Sequence, residues 1–341
     1  MKSNKKLRIF IGLPESFEVN KLIETNLELL GFEVINISFP EHHKIHKTFL
    51  TKIKYIYRKH ILNDRNYKSI LKFEPYKTKI HQQIDNLVGT ADYTLLFRAD
   101  IYPLETILKL KSKSNSMVTY HWDGLHRFPA IDKRIPYFDR FFVFDPKDVD
   151  KSFLPTTNFY FDSENDNGEK KPIYDLYFMG SFVTKRMSRI EEFLNSVKAL
   201  NLTNYFHVFS TNLKKQQQFP HPEIHYTSSH ISYRANIENI KKSKIIIDFL
   251  NGAHEGLSFR VFECIQFDKK LITDNSTIKN YAFYHPNNIF IWDGNNIEDL
   301  KVFLTLEYQT LAKIKETYCF SNWIKYILNR PTFIPITLTS D

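Results

Sequence analysis

Apolar residues fall along the chain at two recurring spacings, and their alternation divides it into short strands and amphipathic helices. Leu7–Gly12 is a continuous apolar run, the pattern of a strand buried on both faces. Residues 17–30 follow with Val19, Leu22, Ile23, Leu27 and Leu30 at helical spacing, Gly31 stops them, and residues 32–39 alternate as a second strand. A strand, a helix and a strand in that order make a βαβ start, because a parallel neighbour is reached only through a crossover. The alternation continues with a helix over 79–88, a strand over 93–98, a helix over 104–110, strands over 117–121 and 140–144, and a helix over 146–153. The stretch 162–172 (DSENDNGEKKP) is polar, contains Gly and Pro, lacks any period, and reads as a linker. Beyond it the pattern restarts: strand 174–179, helix 188–200, strand 205–209, a short helix over Tyr233–Lys241, strand 244–250, helix 258–267, strands Lys270–Thr273 and 288–292, and helix 297–308. Helices within 310–329 close the chain, the last of them placed to pack back across the domain boundary. The expectation is an α/β chain of two tandem Rossmann-like domains facing across a cleft, 1–161 and 173–341, joined by the linker.

Length agrees, since 341 residues is about twice a usual domain. Two cysteines, Cys264 and Cys319, are too few for a disulfide framework or a cysteine-based zinc site, which fits a reducing, cytoplasmic setting. The apolar run after the basic N-terminus ends at Leu13-Pro14, so it reads as a first strand and not as a signal peptide. No run approaches the roughly 20 apolar residues that span a bilayer.

Charge is concentrated. Residues 42–80, read as a basic helical insertion, hold eleven Lys and Arg against Asp64 and Glu74; that excess of nine equals the net charge of the whole chain. Ile45, Phe49, Ile53 and Ile56 recur there at spacings of three and four, an apolar stripe flanked by lysines. Three readings stay open: contact with anionic lipid headgroups, nucleic-acid binding through the interleaved Phe49, Tyr55, Tyr57 and Tyr67, or a solvated helical face. No nucleic-acid-binding module is present, which disfavours the second. The histidines His42, His43, His46, His221, His225 and His230 lack a metal-ligand spacing and read as solvated.

The most informative segment is IIIDFLNGAHEGLSFRVFECIQFDKKLITD, which ends at Asp274. A buried strand runs into a loop at 251–257, and Ser258 is placed to cap the helix that follows. Ligands of open α/β sheets bind at this carboxyl-terminal edge, where a helix N-terminus offers unpaired N–H groups to a phosphate. Arg260 in the first turn would add a guanidinium fork for a diphosphate, and Glu263 could accept two ribose hydroxyls. Similarly, YDLYFMGSFVTKRMSR places Gly180 and Ser181 at a strand end, with Lys185 and Arg186 where a diphosphate could reach them; glycine lets a phosphate approach the backbone closely.

At these residues the chain resembles the GT-B glycosyltransferases with an E-x7-E motif, which stands here as Glu255-Gly256-Leu257-Ser258-Phe259-Arg260-Val261-Phe262-Glu263-Cys264. The wording SFRVFE followed by KLIT is similar to spore-protein-like and to lipopolysaccharide- or capsule-biosynthesis transferases. The resemblance implies that Glu255 lies by the donor sugar and Glu263 by the nucleotide ribose. It also implies that the first strand-loop of the C-terminal domain, with Gly180, Ser181, Lys185 and Arg186, touches the donor diphosphate, and that the region 225–233 supplies the base pocket. There Tyr226 or Tyr233 could stack, and Thr227 or Ser228 could hydrogen-bond. The chain departs from the common pattern in having Phe267-Asp268-Lys269-Lys270 where a Gly-Pro usually separates helix from strand.

The N-terminal half ends two strands with acids, at Phe97-Arg98-Ala99-Asp100 and Tyr120-His121-Trp122-Asp123-Gly124. Asp123, then Asp100, is the candidate general base for an acceptor hydroxyl. The implied activity is transfer of a sugar from a nucleotide-sugar to a surface-glycan acceptor such as lipopolysaccharide or capsule, without metal or other cofactor, in the cytoplasm or against the inner face of a bacterial membrane. The alternative is a non-catalytic GT-B-like protein that binds a nucleotide or a glycan.

Overall fold

The computed structural model describes residues 6–15, 18–41, 53, 55–58, 67–128, 131, 133–150, 152–164, 171–252, 254–310 and 312–338. The chain divides into two compact units, Met1–Thr156 with Ile324–Thr332, and Thr157–Trp323 with Phe333–Asp341. The division falls ahead of the polar stretch 162–172, of which 165–170 lie outside the described residues. His42, His43 and His46 lie outside them as well, with Ile45, Phe49 and most lysines of the basic segment's first half.

The first unit runs β1 (Leu7–Gly12), α1 (Val19–Leu29), β2 (Phe32–Asn36), α2 (Tyr67–Asp85), β3 (Ala91–Phe97), α3 (Leu104–Ser112), β4 (Ser114–His121), β5 (Arg140–Val143) and β6 (Leu154–Pro155). Its sheet is parallel throughout, in the order β2-β1-β3-β4-β5-β6. Helices α2 and α3 turn Phe73, Ile80, Ile84, Ile107 and Leu110 onto the sheet residues Phe10, Leu96 and Met117. Gly12 is required where it stands: a Cβ there would lie 2.5 Å from the Tyr102 hydroxyl, which donates to Ile37 O at 3.1 Å.

Two expectations for this unit are corrected. The helix expected over 146–153 is a single 3-10 turn, Pro146–Asp148, followed by β6. Asp145 accepts from Lys147 N, and Asp150 accepts from Ser152 N and Phe153 N, so short polar side chains take the amides a helix would need. The helix expected over 79–88 begins twelve residues earlier, at Tyr67, and passes through Pro75. Burial of Tyr67 and Phe73 holds together a stretch that proline alone argues against.

The second unit runs β7 (Tyr174–Ser181), α4 (Thr184–Val197), β8 (Asn204–Phe209), α5 (Leu213–Gln216), β9 (Ile224–Thr227), α6 (Tyr233–Lys241), β10 (Ser243–Asp248), α7 (Phe259–Gln266), β11 (Lys270–Thr273), β12 (Ile289–Ile291), α8 (Ile297–Thr305) and α9 (Ala312–Thr317). Helix α10 (Phe320–Ile327) contains the division at residue 324. The sheet is again parallel, in the order β12-β11-β10-β7-β8-β9. Its core packs Met187, Ile190, Phe193 and Leu194 of α4 on Leu176, Phe178, Ile245 and Ile247 of the strands. The region 225–233, to which the apolar pattern assigns no strand, starts as strand β9 and ends as the first residue of α6.

Counted from its own first strand, the second unit has the strand order 3-2-1-4-5-6 of dinucleotide-binding sheets; the first has 2-1-3-4-5 with one added edge strand. Both are Rossmann-like, and each reverses its strand order once.

Candidate functional site

In the second unit the order reverses between β7 and β10, the point at which such sheets bind ligands beyond the strand ends. Strand β7 ends in Gly180-Ser181 and β10 in Asp248. A Cβ on Gly180 would come within 2.9 Å of one Arg186 guanidinium nitrogen and 3.2 Å of one of Arg260, so both cations lie against this glycine. Arg260 is fixed by its Nε–H, which donates to Met179 O at 2.9 Å, and by an ion pair with Asp248. The other Asp248 oxygen accepts from the Ser258 hydroxyl at 2.7 Å. Ser258 therefore occupies the N-cap position of α7 without capping it, a correction to the role foreseen; its hydroxyl ties the helix start to β10.

Arg186 differs. It is 6% exposed, makes no ion pair among the described residues, and donates to Ser181 O, while its Nε–H is buried without a hydrogen-bond partner. Burial and the neighbouring Arg260 pull its pKa down to about 10 against the opposing effect of Asp248 and Asp274, so it stays charged at neutral pH. It lies in the first turn of α4, a helix of fourteen residues whose N-cap, Val183, offers no side-chain acceptor and whose first turn holds no acid. Lys185, beside it, runs along Gly252 of the β10–α7 loop: a Cβ on Gly252 would be 3.2 Å from the lysine stem. Three cations, two glycines and the N-terminus of α4 therefore surround one sheet edge, with Asp248 neutralising Arg260. An oxyanion that accepts several N–H bonds is the group this arrangement suits.

Glu263 sits in α7 and is 2% exposed, with Asn236 Nδ2 donating to it at 3.4 Å from α6. Desolvation lifts its pKa to about 7 against the opposing pull of Arg260 and of the Tyr233 and Asn236 side chains. Asn236 in turn accepts from the Tyr177 hydroxyl at 2.9 Å, which links α6, α7 and β7. Glu255 lies in the loop before α7, where its carbonyl accepts from Asn275 Nδ2 at 3.1 Å. Tyr233 is buried, with its ring edge-on to Phe161 at 5.5 Å, a packed position and not an open stacking platform. Thr227 ends β9, two strands from Gly180, and its hydroxyl is engaged in a local turn with Ser229.

In the first unit Asp100 and Asp123 follow neighbouring strands, β3 and β4. Asp100, 4% exposed, takes both of its oxygens to Arg98, at 3.0 and 2.7 Å. Arg98 has left-handed backbone (φ 61°), approaches Glu41 at 3.5 Å, and lies 3.9 Å above the Phe128 ring. Asp123 pairs with Arg127 and accepts from Gly124 N at 3.1 Å. Between them His121 is fully buried, stacked on Phe141 at 5.5 Å, with neither ring nitrogen hydrogen-bonded; burial drops its pKa to about 4.

Sequence reasoning passed over Asp248, although an acid ending the apolar run IIID is its signal. It also passed over Arg189 and Asp274, which face each other at 3.7 Å beside the same sheet edge. Among the described residues no group of three His, Cys, Asp or Glu side chains is placed to hold a metal ion, and no helix is long and apolar enough to cross a membrane.

No protein-family model matches the sequence, and no curated protein resembles it significantly. Solved structures do match in shape. The lipopolysaccharide outer core galactosyltransferase WaaB superposes with a TM-score of 0.50 at 12% identity, covering 95% of this chain and 99% of its own. OtsA gives 0.58 at 9% identity, covering 97% and 100%, and a UDP-forming α,α-trehalose-phosphate synthase from Burkholderia xenovorans gives 0.53 at 10%, covering 91% and 93%. At such identities the likeness is one of fold, and the fold is GT-B: two Rossmann-like domains in tandem.

Proposed function

We propose that this GT-B chain is a glycosyltransferase that binds a nucleotide-sugar through its second unit and transfers the sugar to a glycan acceptor, with surface polysaccharide or lipopolysaccharide as the acceptor class. The observation that carries the reading is the pair of guanidiniums over Gly180, of which Asp248 neutralises one. A buried cation that makes no ion pair is costly to keep, and a bound diphosphate would add to the partial compensation that Asp248 and Asp274 give Arg186. In this reading Arg186, Arg260, Lys185 and the N-terminus of α4 meet the diphosphate and stabilise it as it leaves, which requires no metal. Glu263 accepts from the ribose, Glu255 faces the donor sugar, and Thr227 and Tyr233 border the base. Asp123, whose partner Arg127 lies at the surface, is the first candidate for the base that activates the acceptor, and Asp100 the second. The structural neighbours favour a UDP-linked donor: two are UDP-forming synthases, and one from E. coli is bound with UDP-2-fluoro glucose.

Isothermal titration calorimetry of the full chain with UDP, GDP and CMP tests the binding half, and release of free sugar from the preferred donor tests the transfer half. One nucleotide should bind well above the others, and its affinity should fall about thirtyfold or more in Arg186→Met, as for other buried charge contacts. The matching nucleoside, which lacks phosphate, should not distinguish the variant from the wild type. A chain that binds none of the three nucleotides ends this reading; binding without sugar release leaves a nucleotide-binding GT-B relative in its place.

A further inference from the structure

Strands β7 and β10 lie on either side of the point where the second sheet reverses its order, and one carboxylate links them by way of α7. Asp248, the last residue of β10, accepts from Arg260 with one oxygen and from the Ser258 hydroxyl with the other, at 2.7 Å. Ser258 stands at the N-cap of α7 and Arg260 is the second residue of that helix, so Asp248 holds both the helix start and the cation it carries. From the β7 side, Met179 O accepts the Arg260 Nε–H at 2.9 Å, and the centre of the buried Phe178 ring lies 5.5 Å from the guanidinium carbon. Two of the three guanidinium nitrogens are thereby engaged. The third, Nη2, makes no hydrogen bond among the described residues and lies 3.2 Å from where a Cβ on Gly180 would stand.

We infer that Asp248 is a positioning residue for diphosphate binding: it holds the Arg260 guanidinium so that the one unengaged nitrogen faces the Gly180 edge. This role rests on the donor-site reading above, to which it adds a residue that itself touches no ligand. Charge alone argues the other way. A carboxylate beside an anion site repels the anion and cancels part of the attraction of its arginine, so an acid here lowers affinity unless it also does something else. What it adds is geometric. A guanidinium meets a phosphate well only when its plane and its N–H groups are aimed, and a long side chain that nothing holds loses that aim. Lysine, a point charge on a flexible stem, has no plane to aim. The two effects of Asp248 therefore have opposite signs, and the geometric one exists only while residue 260 is arginine.

Titration calorimetry of the full chain with UDP and with GDP tests it. Asp248→Asn should weaken whichever diphosphate binds by about tenfold, the low end of the loss that metal sites show when the outer partner of a ligand is removed. In an Arg260→Lys background the same substitution should leave affinity unchanged or raise it, because only the repulsion is then removed. Ser258→Ala, which releases one Asp248 oxygen and keeps both charges, should cost about threefold with Arg260 in place and nothing in the Arg260→Lys background. Tighter or unchanged binding by Asp248→Asn alone would show that Asp248 acts through its charge. Equal weakening with and without Arg260 would show that it serves the framework of the second unit. Either result overturns the inference and leaves the donor-site reading standing, whereas a wild type that binds neither UDP nor GDP overturns both.

Discussion

Where the strand order of the first unit reverses, between β1 and β3, the glycine at the strand end, Gly12, has the Tyr102 hydroxyl against it. At the reversal in the second unit, between β7 and β10, the corresponding glycine, Gly180, has Arg186 and Arg260 against it. The backbone device is the same, a missing Cβ at a sheet edge, but in one unit it admits the Tyr102 ring alone among polar groups and in the other two cations beside the Phe178 ring. The charges nearby diverge in the same sense. In the first unit Arg98 is matched by Asp100 and Glu41, and Asp123 by Arg127. In the second unit Asp248 pairs with Arg260, and Arg186 makes no ion pair among the described residues, with Asp248 and Asp274 only near enough to favour its charge. A matched pair needs nothing further, whereas a buried cation compensated only in part can take an anion from solution. On the proposed reading, the first edge holds and the second binds.

Removing one arginine from each edge should break the comparison most sharply. Arg98→Met leaves the Asp100 carboxylate buried without its fork, and chemical denaturation should show a loss of about 3–5 kcal/mol. Nucleotide affinity should be untouched in any variant that remains folded. Arg186→Met should do the reverse: calorimetric melting without ligand should show a gain of about 1–2 kcal/mol, because a buried charge that makes no ion pair is gone, while nucleotide binding collapses. If Arg186→Met proves as destabilising as Arg98→Met, Arg186 is a structural residue and the distinction between the two edges fails.

A smaller effect separates the two glycines. Gly12→Ala forces its methyl onto the Tyr102 hydroxyl and should cost about 1–3 kcal/mol, and adding Tyr102→Phe should recover part of that loss by removing the oxygen. Gly180→Ala meets the buried Phe178 ring as well as the two guanidiniums, so it should weaken nucleotide binding as well as lower the melting temperature. Unchanged nucleotide affinity in Gly180→Ala, beside a loss of stability like that of Gly12→Ala, would show that both glycines serve packing alone.

Much of this was legible in the order of residues, because strand and helix periods are local. Leu7–Gly12, Tyr233–Lys241 and Lys270–Thr273 stand where the apolar spacing places them, and Gly180, Arg186 and Arg260 were singled out as types that suit a phosphate. Pairing was not legible. Nothing in SFRVFE says that Arg260 will reach Met179 O, 81 residues away, or that Asp248 will take both Arg260 and Ser258. Strand β9 escaped notice because Ile224-His225-Tyr226-Thr227 has two core positions, too few to display a period. The helix expected after Pro146 failed for the opposite reason: its apolar spacing was adequate, but Asp145 and Asp150 captured the amides.

The finest separation between the two edges is in their response to pH. His121 in the first unit is neutral in the folded chain until about pH 4, whereas its ordinary pKa is 6.5. As pH falls through that window the unfolded chain takes up a proton that the folded chain refuses, so this group withdraws stability on acidification. Glu263 in the second unit behaves oppositely. Its folded pKa of about 7 lies above the ordinary 4.5, so the unfolded chain releases a proton first, and stability is lost as pH rises from about 4.5 to about 7. Each group alone can contribute a slope of at most about 1.4 kcal/mol per pH unit. The two oppose one another between about pH 4.5 and 6.5, so the wild type partly hides both, and the difference curves of single variants reveal them. Relative to wild type, His121→Phe should gain stability as pH drops from 6.5 toward 4, and Glu263→Gln should gain it as pH climbs from 4.5 toward 7. Nucleotide affinity should follow only the second: the ratio of wild type to Glu263→Gln, in which the ligand's own ionisation cancels, should rise through pH 7 as the carboxylate becomes free to accept from a ribose. A ratio that stays flat from pH 6 to pH 8, with the stability difference present, would place Glu263 in the framework of the second unit and not in its site.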